Sequence, residues 1–205
     1  RALRFAGEWF EGEDLWFDAP PEKSIAFCSV DPCVGKRGTQ GDLAAIVWCW
    51  WKEGDRHLYI DAELGRRPPP DTNAMLVDFA AAHRFAMILY ESNGLQGELG
   101  SDLSNRLINA KLPTPVIPVE HTLPKLQRID TLAPLLQRRH FKFRTRSPGA
   151  IALVKALKYF AHPKLEPYDG PDALEMLVSG VRNFVVGGRT NAEGLNVSGS
   201  VLGQR

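Results

Sequence analysis

Three apolar runs in quick succession constrain this chain more than any other feature. Residues 25–30 read as a short apolar strand of a buried sheet, 43–51 as a second, rich in Ile, Val and Trp, and 57–64, with Leu58, Tyr59, Ile60, Ala62 and Leu64, as a third. The first run ends in Asp31-Pro32 and is followed by a loop punctuated by Gly35, Gly38 and Gly41. Glu53-Gly54-Asp55 separates the second run from the third and is a turn signal. Consecutive strands joined this way pair antiparallel, so the three form a meander. After Pro68-Pro69-Pro70 the periodicity changes. Leu76, Phe79, Ala80 and His83 recur at helical spacing, with Asp71 or Thr72 as the expected cap. Residues 86–90 form a buried-type strand ending at Glu91, 97–110 a helix, and 115–119 a short strand.

The second half is helix-rich. Leu126, Ile129, Ala133 and Leu136 mark an amphipathic helix with a kink expected at Pro134. Residues 140–146 alternate, with Phe141 and Phe143 on one side and Lys142 and Arg144 on the other. Ser147-Pro148 is a helix start, and Ala150, Leu153, Val154 and Leu157 supply that helix's apolar stripe. Pro171-Asp172 opens a last helix with Ala173, Met176, Leu177 and Gly180 on one face. This order, βββ-α-β-α-β-α and then more helix, implies an α/β protein. Its mixed sheet joins an antiparallel three-strand meander to parallel strands, with helices on both faces, which is the RNase H-like order. Residues 24–186 read as that domain, 1–23 as an N-terminal arm or linker remnant, and 187–205 as a flexible, glycine-rich tail.

Several classes are excluded. No apolar run is long enough to span a membrane, and no apolar segment follows Arg1-Ala2-Leu3-Arg4 as a signal peptide requires. The missing initiator Met suggests a fragment, a processed chain or a trimmed one. Cys28, Cys33 and Cys49 form no CxxC pair and read as buried free thiols of a reducing compartment. The five histidines show no metal-ligand spacing. Net charge is +1, but residues 125–158 hold nine Lys and Arg against Asp130 alone. Such a block can bind a polyanion although the chain as a whole is near neutral; it can equally be a solvated face.

The chemistry lies in carboxylates. Asp31 ends the first strand and Glu91 the fourth, and those strands are neighbours in an RNase H-like sheet. Asp169 and Asp172 stand at the start of the last helix, where the helix dipole favours acids. Packed beside the first strand, that helix would bring three or four carboxylates together. Their mutual repulsion is relieved by divalent cations, and a pair of such ions can hydrolyse a phosphodiester. Asp42 and Asp61 also sit at strand ends and read as loop or supporting acids.

Four segments resemble one family, the C-terminal nuclease domain of tailed-bacteriophage terminase large subunits. Ser29-Val30-Asp31-Pro32 with Gly41-Asp42-Leu43-Ala44-Ala45 looks like its opening motif, and Tyr90-Glu91-Ser92-Asn93-Gly94 like its second acidic motif. Lys125-Leu126-Gln127-Arg128 with Leu132-Ala133-Pro134-Leu135 resembles its K-x-x-R…L-x-P-L helix. Tyr168-Asp169-Gly170-Pro171-Asp172-Ala173-Leu174-Glu175 resembles its closing motif, although relatives often carry His or an acid at the position of Tyr168. The resemblance spans residues 24–184. It implies a metal-dependent endodeoxyribonuclease that cuts concatemeric double-stranded DNA with two Mg²⁺ or Mn²⁺ ions in the cytoplasm of a bacterial host. Asp31, Glu91 and Asp169 would be the metal-binding and catalytic acids, and Asp172 a fourth or a supporting one. Which of Asp169 and Asp172 binds metal directly is left open. The implied partners are DNA, the terminase ATPase domain, the small terminase subunit and the portal protein, with no membrane. No GxxxxGK[ST] is present, so this chain cannot itself be the packaging motor. The basic block then acquires a role: Lys125, Arg128, Lys142, Arg144 and Arg146 would contact DNA phosphates, with 140–146 as one strand of a DNA-facing hairpin. Two alternatives keep the fold: another RNase H-like nuclease such as a Holliday-junction resolvase, and a non-catalytic DNA-binding packaging module.

Overall fold

The computed structural model describes residues 4–32, 44–92, 96–160 and 168–198. Its centre is one seven-stranded sheet in the order β1-β7-β4-β3-β2-β5-β6. The expected meander is present as β2 (Ile25–Asp31), β3 (Ala44–Trp51) and β4 (Leu58–Gly65), all antiparallel neighbours. β5 (Ile88–Glu91) pairs parallel with β2, and β6 (Val116–Val119) parallel with β5. The mixed α/β architecture read from the sequence is therefore the one observed.

Helices cover both faces because the strands alternate apolar side chains to both. Phe27, Val47, Cys49, Ile60 and Ala62 face a core closed by α5 (Pro148–Lys158) and α6 (Asp169–Ser198). Cys28, Val30, Ile46, Trp48 and Ile88 face the other core, under α1 (Pro69–His83) and α2 (Gln96–Asn109). Cys28 and Cys49 are buried free thiols, as expected; Cys33 lies outside the described residues, as do Asp42 and the glycine loop around it.

Helix ends follow local chemistry. Ser147 Oγ caps α5 by accepting from the Ala150 amide, and Ala150, Leu153, Val154 and Leu157 are all buried. α1 departs from the expected cap: it starts at Pro69 after Pro68, and Thr72 Oγ1 donates to Pro68 O instead of capping. The kinked helix is in fact two short ones, α3 (Lys125–Asp130) and α4 (Ala133–Gln137). Pro134 has no amide proton to give, and its ring excludes the carbonyl four residues earlier, so the chain restarts the helix there.

Three segments differ from the sequence reading. β7 (Phe141–Arg144) is not a hairpin strand: it lies inside the sheet, parallel to both β4 and β1 (Trp16–Phe17). Its alternation was read correctly, with Phe141 and Phe143 buried and Lys142 and Arg144 half-buried on the other side. The segment before Ser24 packs on the domain. Phe5, Phe10 and Leu15 enter the core, Phe5 stacks on Phe160 at 5.5 Å, and β1 extends the sheet. Finally, α6 continues past Gly187 to Ser198.

Candidate metal centre

The parallel pairing of β2 with β5 brings Asp31 and Glu91 to the same edge of the sheet. α6 begins at that edge. Ser29 anchors it: its hydroxyl lies 2.6 Å from Ala173 O and 3.2 Å from Val47 O, so its one proton ties β2 to the first turn of α6 or to β3. Gly180 lets the same helix cross β5 closely, because a Cβ there would stand 2.2 Å from Leu89 Cδ1. The consequence is convergence. One oxygen each of Asp31, Glu91 and Asp172 lies within 4.8 Å of the others, and all three residues are buried. Asp169, also buried, joins the group through Lys125.

Two cations compensate these acids. Lys125 Nζ is 2.8 Å from Asp169 Oδ1, 3.1 Å from Asp31 Oδ2 and 3.2 Å from Asp172 Oδ2. The Arg128 guanidinium, 8% exposed, grips Asp172, 2% exposed. Nη2 donates to Oδ2 at 3.0 Å, and Nη1 makes a close ion pair with Oδ1 at 2.7 Å that is not aligned as a hydrogen bond. Lys125 and Arg128 are one helical turn apart on α3, so their i, i+3 spacing turns both toward the acids. They are therefore part of the acidic cluster. Arg128 in particular is turned inward, not presented to a ligand's phosphates.

Charge crowding shows in the titration of the group. Burial pushes the Asp31 carboxyl up to about 9; the Lys125 ammonium opposes this, and a hydrogen bond with Glu91 and the neighbouring Asp169 charge reinforce it. Burial likewise raises Asp172, against the pull of Lys125 and Arg128. Lys125 loses solvation too, but Asp31, Asp169 and Asp172 outweigh that and hold its ammonium well above the ordinary range. A buried set of acidic oxygens that must retain protons or borrow an ammonium is the donor chemistry a hard divalent cation satisfies. The residues present thus fit the metal that the sequence led us to expect.

The other sequence candidates lie apart. Lys142 donates to Asp14 O, Arg144 lies over the Trp50 ring and 3.8 Å from Asp61, and Arg146 is exposed at a left-handed turn, φ 61°. Asp61 is buried and receives the Ser147 hydroxyl at 2.5 Å and the Ala62 amide at 2.8 Å, a supporting structural role. Two groups beside the acids were given no role from the sequence, although Glu175 closes the last of the four motif-like segments. His121 and Glu175 line a groove of about 330 Å³ with Arg128. Burial, then the Arg128 charge, holds the His121 imidazole below its usual pKa. Glu175 carried a signal, since it stands one turn beyond Asp172 on the same helix face; His121 carried none.

This fold is the one found in viral terminase nuclease domains. The chain superposes on the human cytomegalovirus terminase nuclease domain, manganese-soaked and inhibitor-bound, with TM-score 0.61 and 8% identity, over 86% of this chain and 94% of that one. A variant nuclease domain of the large terminase subunit gp2 of bacterial virus Sf6, with manganese and β-thujaplicinol, matches at TM-score 0.61 and 12% identity, over 86% and 98%. The large terminase nuclease of thermophilic phage G20c with bound magnesium matches at 0.53 and 15%, over 86% and 96%. No protein-family model and no curated protein matches the chain. Among the described residues no helix is long and apolar enough to cross a membrane.

Proposed function

We propose that this chain is the nuclease domain of a viral DNA-packaging terminase, with the segment before Ser24 packed into it as part of the domain. It is a divalent-metal-dependent endodeoxyribonuclease that cuts concatemeric double-stranded DNA in the host cytoplasm. The observation that carries the reading is the meeting of Asp31, Glu91 and Asp172 at one sheet edge, on a fold shared with metal-bound terminase nucleases. The ATPase domain, small subunit and portal enter as partners on the sequence resemblance.

Asp31, Glu91 and Asp172, with Asp169, would hold two Mg²⁺ or Mn²⁺ ions. When bound, such ions polarise the phosphodiester and lower the pKa of a water. The chain's own groups do the rest. Arg128 fixes Asp172 in one orientation from behind. Lys125 keeps three carboxylates within reach of one another, and its ammonium offsets negative charge where a phosphate would enter. Walls formed by β2, β5 and α6 exclude bulk water from the acids, each at most 7% exposed.

The test is cleavage of supercoiled plasmid by the purified chain with and without Mg²⁺ or Mn²⁺, beside Asp31→Ala. Cation-dependent nicking and linearisation that vanish in the variant support the reading. A folded chain that binds DNA and never cuts it under any of these conditions points to a non-catalytic packaging module. A marked preference for four-way junctions over linear duplex points to a resolvase.

A further inference from the structure

α6 starts at the acids and ends, in its described side chains, at the opposite pole of the sheet. That pole is about 20 Å away, six strand residues at ~3.3 Å each. There the ends of β3, β4 and β7 and the short α4 leave a cavity of about 240 Å³ open to solvent. Its floor is aliphatic and aromatic: Leu58, Phe141, Val178, Val181 and Val185. Its rim is basic. Arg56 and Arg182, both exposed, stand on it together with His57 and His140. Among the described lining residues the one acid is Asp55. Its oxygens are already engaged: Oδ1 by the His57 amide at 2.9 Å, Oδ2 by the Tyr59 hydroxyl at 2.9 Å. Exposed apolar surface continues beyond the rim at Phe184 (43%) and Val186 (63%).

An apolar floor beside two exposed arginines, neither ion-paired among the described residues, selects its occupant. A nucleic-acid backbone offers nothing to valines. Of the lining Phe and Trp rings, Phe141 is 1% exposed and Trp51 half-buried, so neither offers an open platform for stacked bases. A helix with apolar side chains on one face and carboxylates beside them matches both features at once. We propose that this pole docks an acidic amphipathic segment of a partner protein, its apolar anchors seated among Val178, Val181 and Val185 and its carboxylates on Arg56 and Arg182. This assignment is independent of the nuclease reading.

The experiment uses the full chain and a fluorescein-labelled peptide of about four helical turns, with Leu and Phe at i, i+3, i+4 and i+7 and Glu elsewhere. Anisotropy should show saturable micromolar binding, weakened at least about tenfold by Arg56→Glu/Arg182→Glu and by Val185→Ser/Val186→Ser. The same peptide with Lys in place of Glu should bind the unmodified chain no more tightly than the Glu peptide binds the charge-reversed one. Circular dichroism confirms that each variant folds. Equal binding of the acidic and basic peptides, or affinity untouched by either variant, overturns the proposal. So does displacement of the peptide by short duplex DNA, which would make the pole a nucleic-acid surface. A light-scattering mass that halves in Arg182→Glu would instead make it a self-association face, and also overturns it.

Discussion

At the scale of single residues, the acids were legible and their counter-ions were not. Asp31 and Glu91 announce themselves by ending apolar strands, and Asp172 by opening a helix. Lys125 and Arg128 looked like two members of a long basic block, because a sequence shows charge without showing which way it faces. Only the i, i+3 spacing hinted that they act as a pair. Their burial makes two expectations sharp. Arg128→Met leaves buried Asp172 with only the ammonium of Lys125, which it shares with Asp31 and Asp169, and should cost about 3 kcal/mol in urea unfolding, whereas Arg128→Met with Asp172→Asn should recover most of it. The second expectation concerns pH. Asp31 binds its proton up to about 9 in the folded, metal-free chain, but an unfolded Asp releases it near pH ~4. The native state therefore holds more protons than the unfolded state between those values, and stability should fall as pH rises through that window and level off above it. Asp172, also raised by burial, adds in the same direction. Melting in EDTA across pH 5–9 measures the slope; Asp31→Asn should flatten it, and saturating Mg²⁺ should reverse the loss at high pH. A melting temperature independent of pH in EDTA would refute this account of the cluster.

At the scale of elements, strands and helices were read from periodicity, and what failed was pairing. The alternation of residues 140–146 is the same whether the strand belongs to a projecting hairpin or lies inside a sheet with one half-solvated face. Only a partner elsewhere in the chain decides, and β1, two residues long, gave no periodic signal. The N-terminal segment was misjudged for a related reason: its aromatics recur with neither strand nor helix spacing, yet Phe5, Phe10 and Leu15 are core residues. The junction of α5 with β4 was half visible. Ser147-Pro148 declared the helix start, but the purpose of Gly149 is tertiary. A Cβ there would stand 1.7 Å from Ala62 O, inside the backbone of β4. Gly149→Ala should therefore cost more than the ~1–3 kcal/mol usual for overpacking, since backbone cannot rotate aside, and the loss should appear as a lowered urea midpoint. Gly54→Ala, at φ 79° with nothing near its Cβ, is the comparison. It is strained only in its own backbone, at about 1 kcal/mol.

At the scale of the whole molecule, the structure scatters the basic block over four places, one of them α5, which carries Lys155 and Lys158. Lys125 and Arg128 pair with the acids; Arg138 and Arg139 lie near the opposite pole; Lys142 and Arg144 belong to β7, one strand in from the sheet's β1 edge, and Arg146 follows it. β7 lies three places from β2, about 14 Å across the sheet at ~4.8 Å per strand. By register Lys142 is level with Ala26, five residues along β2 from Asp31, so Lys142 stands roughly 22 Å from the acids. A duplex held on β7 would therefore have to run along the sheet toward the ends of β2 and β5 to meet Asp31 and Glu91. Arg144 is already occupied by Asp61 and the Trp50 ring, and Arg146 is exposed, whereas Lys142 spends only a backbone contact on Asp14. Counterion release then predicts unequal losses. If DNA lies on this strand, Lys142→Ala/Arg146→Ala should lower the slope of log affinity against log salt by about two units, at ~0.9 per phosphate contact. Adding Arg144→Ala should change it by less than a further unit, and Arg128→Met should leave it unmoved. Duplex binding measured at a series of salt concentrations distinguishes the alternatives. A slope unchanged in the double variant means that β7 merely carries a solvated face, and that the DNA path must be sought across the sheet at the β6 side, where His121 and Glu175 flank the groove beside the acids.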